Sequence, residues 1–538
     1  MDLFITYLVL FACIIFLSQL FQKSTIPIAL ILVISGMLLS FVPFFPQINL
    51  DSALVLNFFL PLLVYQVSSF SSWRDIKKQM RPIALLSIGH VIFIAILVAI
   101  VFHALIPRMG WPLAFVFGAI ISPPDSVAIV SIAEKIRIPE RVFLILEGEG
   151  MFNDAAALTL FRLALAAAIT NQFSMVHAVS NFFIIIIGEL VYGLILGHVL
   201  GKLREKITNT SLHMIASFMT PFLAYIPVVK LGGTGVLATA AVGFVIGNQF
   251  TLRFTPEYRL IALAIWPTIA FAIQGLIFLL VGLDMRSTFM HISFIPWETL
   301  LLYIFSITVV IVVGRFIWVY GAVLCLPRLL SPTLRKKDPY PSWQYPFIIS
   351  WSGIRGGISL AAALAIPALA LDKSIVDPRD LLVFLVFCII FVTLVLQGLS
   401  LPFILKKMGI DKVGQSERYR EHLTELQAKF QMIQAALHWL LKYKEKIKNN
   451  NKLLSEVSLH IYEYQYLLNQ FELSILDHDG KKRHDEQLEM DETLSLLLQI
   501  IHVERAELIK LWQEEKINLR VRNKLLATLD HQIQKKLI

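Results

Sequence analysis

Thirteen apolar stretches, each long enough to cross a hydrocarbon layer of roughly 30 Å, recur along this chain: 3–21, 26–45, 51–69, 82–106, 111–133, 142–170, 176–201, 212–229, 232–250, 260–283, 293–325, 343–370 and 381–405. Backbone N–H and C=O groups find no water in lipid, so stretches of this kind are confined to helices. The expected fold class is therefore an all-α polytopic membrane protein of about 13 transmembrane helices. With 57% apolar and 16% charged residues over 538 positions, the composition excludes a soluble globular protein. The first stretch opens MDLFITYLVL, with an acid in place of a basic leader and no small-residue cleavage site, and reads as a retained span. Cys13, Cys325 and Cys388 stand singly in apolar runs, which argues against a disulfide framework and against a zinc site.

Charge is distributed unevenly. Lys and Arg outnumber Asp and Glu 27 to 18 over residues 1–410 and match them at 20 each over 411–538, so the net charge of +9 belongs to the membrane part. Basic loops account for that excess, and no nucleic-acid partner is expected. An odd number of spans puts the termini on opposite sides. The loops on the C-terminal side carry 17 Lys and Arg against 5 on the other, which predicts an outside N-terminus and a cytoplasmic C-terminus. This parity depends on a break at the Gly-rich KLGGTG, 230–235. Beyond KKMGID the composition turns polar, with apolar positions at helical spacing in HLTELQAKFQMIQAALHWLL and ETLSLLLQIIHVERAELIKLW. Residues 1–410 thus read as the transmembrane domain. Residues 411–538 read as an α-helical cytoplasmic domain, regulatory, stabilising or a mere solvated appendage, with linkers at NNN (449–451) and DHDGKKRHDE (477–486).

Ionisable residues inside the spans are few: Asp125, Glu147, Glu149, Asp154, Arg162, Glu189, Arg315 and Arg355. Each is costly at that depth, on the order of 2.5–3.5 kcal/mol, so a paired or functional position is the default. Glu147, near the start of its span, fits an interfacial position equally well. Arg162, Glu189 and Arg315 read as interhelical pairs or cavity linings rather than ion ligands. Pro123 and Pro124, just before Asp125 in AIISPPDSVAIV, interrupt one span, and Gly353, Gly356 and Gly357 loosen another around Arg355 in WSGIRGGISL. Two broken spans in separate halves of a membrane protein point to a binding site at mid-membrane, where free carbonyls and half-helix ends face an ion.

In EGEGMFNDAAAL, Glu149 and Asn153 are i,i+4 and share a helix face, while Asp154 is turned about 100° from Asn153. Glu149 needs a countercharge, and the expected partner is Arg355. Asp154 is left without one. Out of water, such a carboxylate is stable either protonated or with a cation bound, and that competition is the chemistry of a cation/proton exchanger.

ISPPDSVAIV, EGEGMFNDAAAL with its Asn-Asp pair, GLIFLLVGL at 275–283 and WSGIRGG together resemble the monovalent cation:proton antiporter-1 family, in its bacterial Na+/H+ exchanger branch. The resemblance covers most of 1–410. It implies a secondary antiporter in the bacterial inner membrane that exchanges Na+ for H+ electroneutrally in pH and sodium homeostasis, without a cofactor and surrounded by membrane lipids. It further implies a homodimer whose protomers contain inverted repeats, a dimerisation domain and a mobile core of crossed discontinuous helices. By the same resemblance Asp154 carries the exchanged proton or Na+, Asn153 supports it, Asp125 and the Pro124 carbonyl contribute from the broken helix, and Glu149 and Arg355 form a buried ion pair. Three departures bear on ion preference. Pro124 stands where relatives commonly have Thr or Val, Gly150 where many place Ser, and Gln66 where some carry an acid. Li+ or K+ as the exchanged ion, and a cation-responsive sensor with a signalling tail, are the alternatives. A channel would need a filter-like loop, absent here. An enzyme would need a nucleophile–base set, and the 13 histidines are scattered, His90 and His198 reading as packing residues.

Overall fold

A computed structural model of the chain describes residues 3–22, 24, 26–42, 51–125, 129, 138–170, 174–292, 295–331, 341–367, 378–446 and 451–476, with 504, 506–508, 510, 514 and 525 beyond them. The chain divides into two compact units, Met1–Glu417 and Arg418–Ile538. All regular structure among the described residues is helical.

In the first unit, eight helices are long and apolar enough to cross a membrane: Ser52–Phe70, Met80–Leu105, Glu140–Thr170, Val176–Glu205, Thr210–Lys230, Pro256–Met290, Trp297–Cys325 and Pro378–Lys407. Shorter apolar helices are Ile5–Leu20, Ile28–Ser40, Pro107–Ile121 and Val236–Gln249. The stretch around Arg355 forms two pieces, Gln344–Trp351 and Gly357–Leu364. The break at KLGGTG is real: helix 210–230 ends at Lys230, and Gly232 (φ 92°) and Gly235 (φ 77°) turn the chain through the left-handed region that other residues avoid. In the second unit, Asn451–Leu476 forms a helix that begins at the last Asn of the NNN run. The expected linker at 477–486 and most of the final amphipathic run lie outside the described residues.

Packing sorts the helices of the first unit into two groups. In one, helix 28–40 packs along helix 256–290, and helix 236–249 packs along both 52–70 and 176–205. In the other, helix 107–121 lies between 80–105 and 140–170, while 297–325 packs on 80–105. Glycines bring the backbones together within each group. A Cβ on Gly36 would strike the carbonyl of Leu279, one on Gly282 that of Val33, one on Gly193 that of Ala238, one on Gly247 that of Ser69 and one on Gly118 that of Ala95. Small residues serve this purpose in membranes, where dispersion between close backbones replaces hydrophobic burial.

A side chain at such a seam forces two backbones apart. Gly282→Leu should lower the thermal unfolding midpoint of the detergent-solubilised protein by an amount corresponding to about 1–3 kcal/mol or more. Gly188→Ala, where an added Cβ meets nothing within 4 Å, should leave the midpoint unchanged. Equal midpoints for Gly282→Leu and the unsubstituted protein would show that the seam is not tight.

Candidate functional site

Helix 107–121 stops because Pro123 and Pro124 lack N–H donors, and helix Gln344–Trp351 stops at Ser352, leaving 352–356 non-helical before helix Gly357–Leu364 begins. The two interruptions run against each other. The backbone N–H of Asp125 donates to the carbonyl of Ile354 at 2.6 Å, so each break supplies a partner that the other lacks. Gly356 is where they touch most closely: a Cβ there would overlap the Asp125 carboxylate. The glycine serves close approach. Asp125 consequently sits at the N-terminal, positive end of the Gly357–Leu364 half-helix.

The polar groups of helix 140–170 meet these breaks. Asn153 Nδ2 donates to the Pro124 carbonyl at 2.7 Å. Glu149, 2% exposed, does not pair with Arg355 as the sequence suggested. Its carboxylate accepts both terminal nitrogens of Arg315, Nη1 at 2.6 Å and Nη2 at 2.8 Å, and Arg315 is itself 0% exposed. The same guanidinium donates through Nε to the Ile349 carbonyl at 2.9 Å. Arg355 instead donates from Nη1 to the carbonyl of Ser122. The reason lies in position. Arg355 stands in the break itself and reaches across to the open C-terminal end of helix 107–121. Arg315, on the unbroken helix 297–325, lies beside Gln344–Trp351 and faces Glu149. Each buried arginine thus holds a carbonyl near the negative end of one half-helix, a favourable place for a cation.

Asp154 is arranged differently. Partly buried, it has no hydrogen-bond partner among the described residues. It lines a small cavity of about 60 Å³ together with Pro124, Asp125, Gly150, Gly356 and Ser359, and with Val64 and Val67 of helix 52–70. Gln66 is not part of that lining. Ser359 was not among the residues singled out from the sequence. The remaining intramembrane charges lie elsewhere. Glu147 accepts from Ser71 Oγ at 2.7 Å. Glu189 accepts from Thr234 Oγ1 at 2.8 Å and from the N–H groups of Gly235 and Leu237 at 3.0 and 3.1 Å, closing the start of helix 236–249. Arg162 donates to the Gly233 carbonyl in the preceding turn.

Among the described residues no cluster of three or more His, Cys, Asp or Glu side chains is placed to hold a metal ion. A cation in this cavity would draw on carbonyl and hydroxyl oxygens beside carboxylate. That donor set suits a hard, weakly held alkali ion.

An all-helical membrane protein with a carboxylate cavity at the crossing of two interrupted helices is the architecture of a secondary transporter. The sequence pattern of the family "Sodium/hydrogen exchanger, transmembrane" matches residues 8–407, and the chain belongs to that family of cation/proton antiporters. It is 28% identical over 531 residues to the sodium, potassium, lithium and rubidium/H+ antiporter of Bacillus pumilus, covering 96% of this chain and 76% of the relative. It is 28% identical over 396 residues to the Na+/H+ antiporter ApNhaP of Aphanothece halophytica, covering 73% and 71%. Its fold resembles the sodium proton antiporter MjNhaP1 of Methanocaldococcus jannaschii, with a TM-score of 0.58 at 16% identity over 76% of this chain and 99% of that one.

The revised ion pair is directly testable. Glu149→Gln or Arg315→Met alone should destabilise the solubilised protein by roughly 3–5 kcal/mol, because each leaves a buried charge unpaired, and the double variant should lose less than the sum. Glu149→Gln with Arg355→Met should come closer to additive. Unfolding midpoints that show coupling only for the Glu149–Arg355 combination would reverse the assignment.

Proposed function

We propose that this protein exchanges Na+ for H+ one for one, with Asp154 carrying either the proton or the cation. The observation that carries this reading is the contrast between Asp154 and its neighbours. Glu149 has a bidentate arginine and Asp125 lies at a half-helix N-terminus, whereas Asp154 faces a cavity without a hydrogen-bond partner among the described residues. Asn153 fixes the geometry by tying its helix to the Pro124 carbonyl. Asp125 and that carbonyl border the ion, and Glu149, Arg315 and Arg355 hold the frame.

Charge counting supports the stoichiometry. Three carboxylates, Glu149, Asp125 and Asp154, stand against two guanidiniums, Arg315 and Arg355, so the loaded site is neutral with one proton or one monovalent cation. Both half-cycles then move the same charge, and exchange is electroneutral. K+ as an additional substrate is a second reading, favoured by the named cations of the Bacillus pumilus relative. The same reading includes thirteen crossings of a bacterial plasma membrane, an outside N-terminus, a homodimer, a role in sodium and pH homeostasis, and a cytoplasmic tail that regulates or stabilises without transporting.

Asp154→Asn should abolish cation-dependent proton flux in proteoliposomes loaded with a pH dye while leaving assembly intact. Wild-type flux in that variant would remove Asp154 from the role. An imposed membrane potential at clamped pH should drive no net Na+ uptake; uptake that follows the potential would refute the one-for-one cycle.

A further inference from the structure

Ser359 lies in the first turn of the Gly357–Leu364 half-helix, 4% exposed, with its backbone N–H donating to Gly356. Its hydroxyl has no hydrogen-bond partner among the described residues. It shares this with Thr308, which does not line the cavity, and differs from most buried helical hydroxyls here. Ser122, Thr159, Thr239, Ser350 and Thr393 each donate to a carbonyl three or four residues back, the ordinary resting place of such a group. For Ser359 the corresponding carbonyls belong to Arg355, in the non-helical break, and to Gly356, which already accepts the Ser359 N–H. The hydroxyl is left to the cavity. Ser359 and Asp154 together line the 60 Å³ cavity and also an adjoining one of about 10 Å³.

A buried hydroxyl without a protein partner is costly unless a ligand or water completes it. The cavity otherwise offers carboxylate and backbone oxygens, and neither Pro124 nor Gly150 brings a hydroxyl to it. We propose that Ser359 Oγ is a ligand of the transported cation and a determinant of its selection, acting with Asp154. The inference rests on Asp154 being the carrier. One hydroxyl serves both loaded forms: its lone pairs face the cation, and when Asp154 holds the proton instead, the same oxygen accepts a hydrogen bond from the carboxylic acid. Smaller ions are dehydrated at greater cost and need the replacement oxygen most, so losing it should penalise Li+ and Na+ above K+.

The test uses the full chain in proteoliposomes, with cation-dependent proton flux measured separately for Li+, Na+ and K+. Ser359→Ala should raise the apparent KM for Na+ on the order of tenfold, with a smaller rise for K+ and a maximal rate within about twofold of the unsubstituted protein. Ser359→Thr, which keeps the hydroxyl, should restore the Na+ affinity. Should the alanine variant fail to fold, Ser359→Cys keeps the size while weakening the ligand and should give the same KM shift. Unchanged KM values in the alanine or cysteine variant would overturn the assignment, and so would a fall in maximal rate alone. Asp154→Asn, run in parallel, separates the two claims. Active Asp154→Asn removes the carrier reading itself; inactive Asp154→Asn beside an unaltered Ser359→Ala removes only the role of Ser359.

Discussion

Backbone that leaves its helix inside a membrane has no water to turn to, and this constraint organises the centre of the molecule. Two interrupted helices meet so that the N–H of Asp125 finds the carbonyl of Ile354. Two buried arginines then take carbonyls at the negative half-helix ends, Arg355 that of Ser122 and Arg315 that of Ile349. Arginines at such depth need countercharge, and Glu149 supplies it to Arg315 with both oxygens. Asn153 adds a bond to Pro124. Other polar atoms of the crossing stay unmatched, among them Arg355 Nε and Nη2, Asn153 Oδ1 and Ser352 Oγ, which are buried without a hydrogen-bond partner among the described residues. Asp154 and Ser359 remain turned toward the cavity.

Much of this was legible in the sequence because it follows from local chemistry. Long apolar runs fold as helices, paired prolines stop one, and a glycine cluster marks the second interruption. An Asn-Asp pair on one helix sets two neighbouring side chains at different angles, so Asp154 could be separated from Asn153 before any tertiary contact was known. Partner choice was another matter. Arg315 and Arg355 are both intramembrane guanidiniums, and nothing in their spacing says which faces Glu149. The answer depends on Arg315 lying on an unbroken helix beside Gln344–Trp351, while Arg355 is committed to Ser122 across the break.

Three further differences have the same origin. Gly356 reads in sequence as a loosening residue, yet its lack of a side chain makes room for the Asp125 carboxylate. Ser359 reads as an ordinary helical serine. The signal that could have identified it is its distance from the break: four residues after Arg355, its usual acceptor falls in non-helical chain. Arg162 and Glu189, expected as pairs or linings, bind the turn at 233–237, Arg162 through the Gly233 carbonyl and Glu189 through Thr234 and the start of the following helix.

Backbones interlocked at glycines resist shear, because sliding one helix past another drives a carbonyl into the space that the missing side chain left. The seams at Gly36, Gly193, Gly247 and Gly282 lie within one group of helices, and that at Gly118 within the other. Contacts outside these seams include the side chain of Ile277 over Gly357, Val64 and Val67 in the lining shared with Asp154, the stacked rings of Phe152 and Phe244, and a hydrogen bond from Arg162 to Gly233. Methyl surfaces slip where locked carbonyls do not. The contacts that line the cavity Asp154 faces are accordingly less interlocked than the glycine seams within either group.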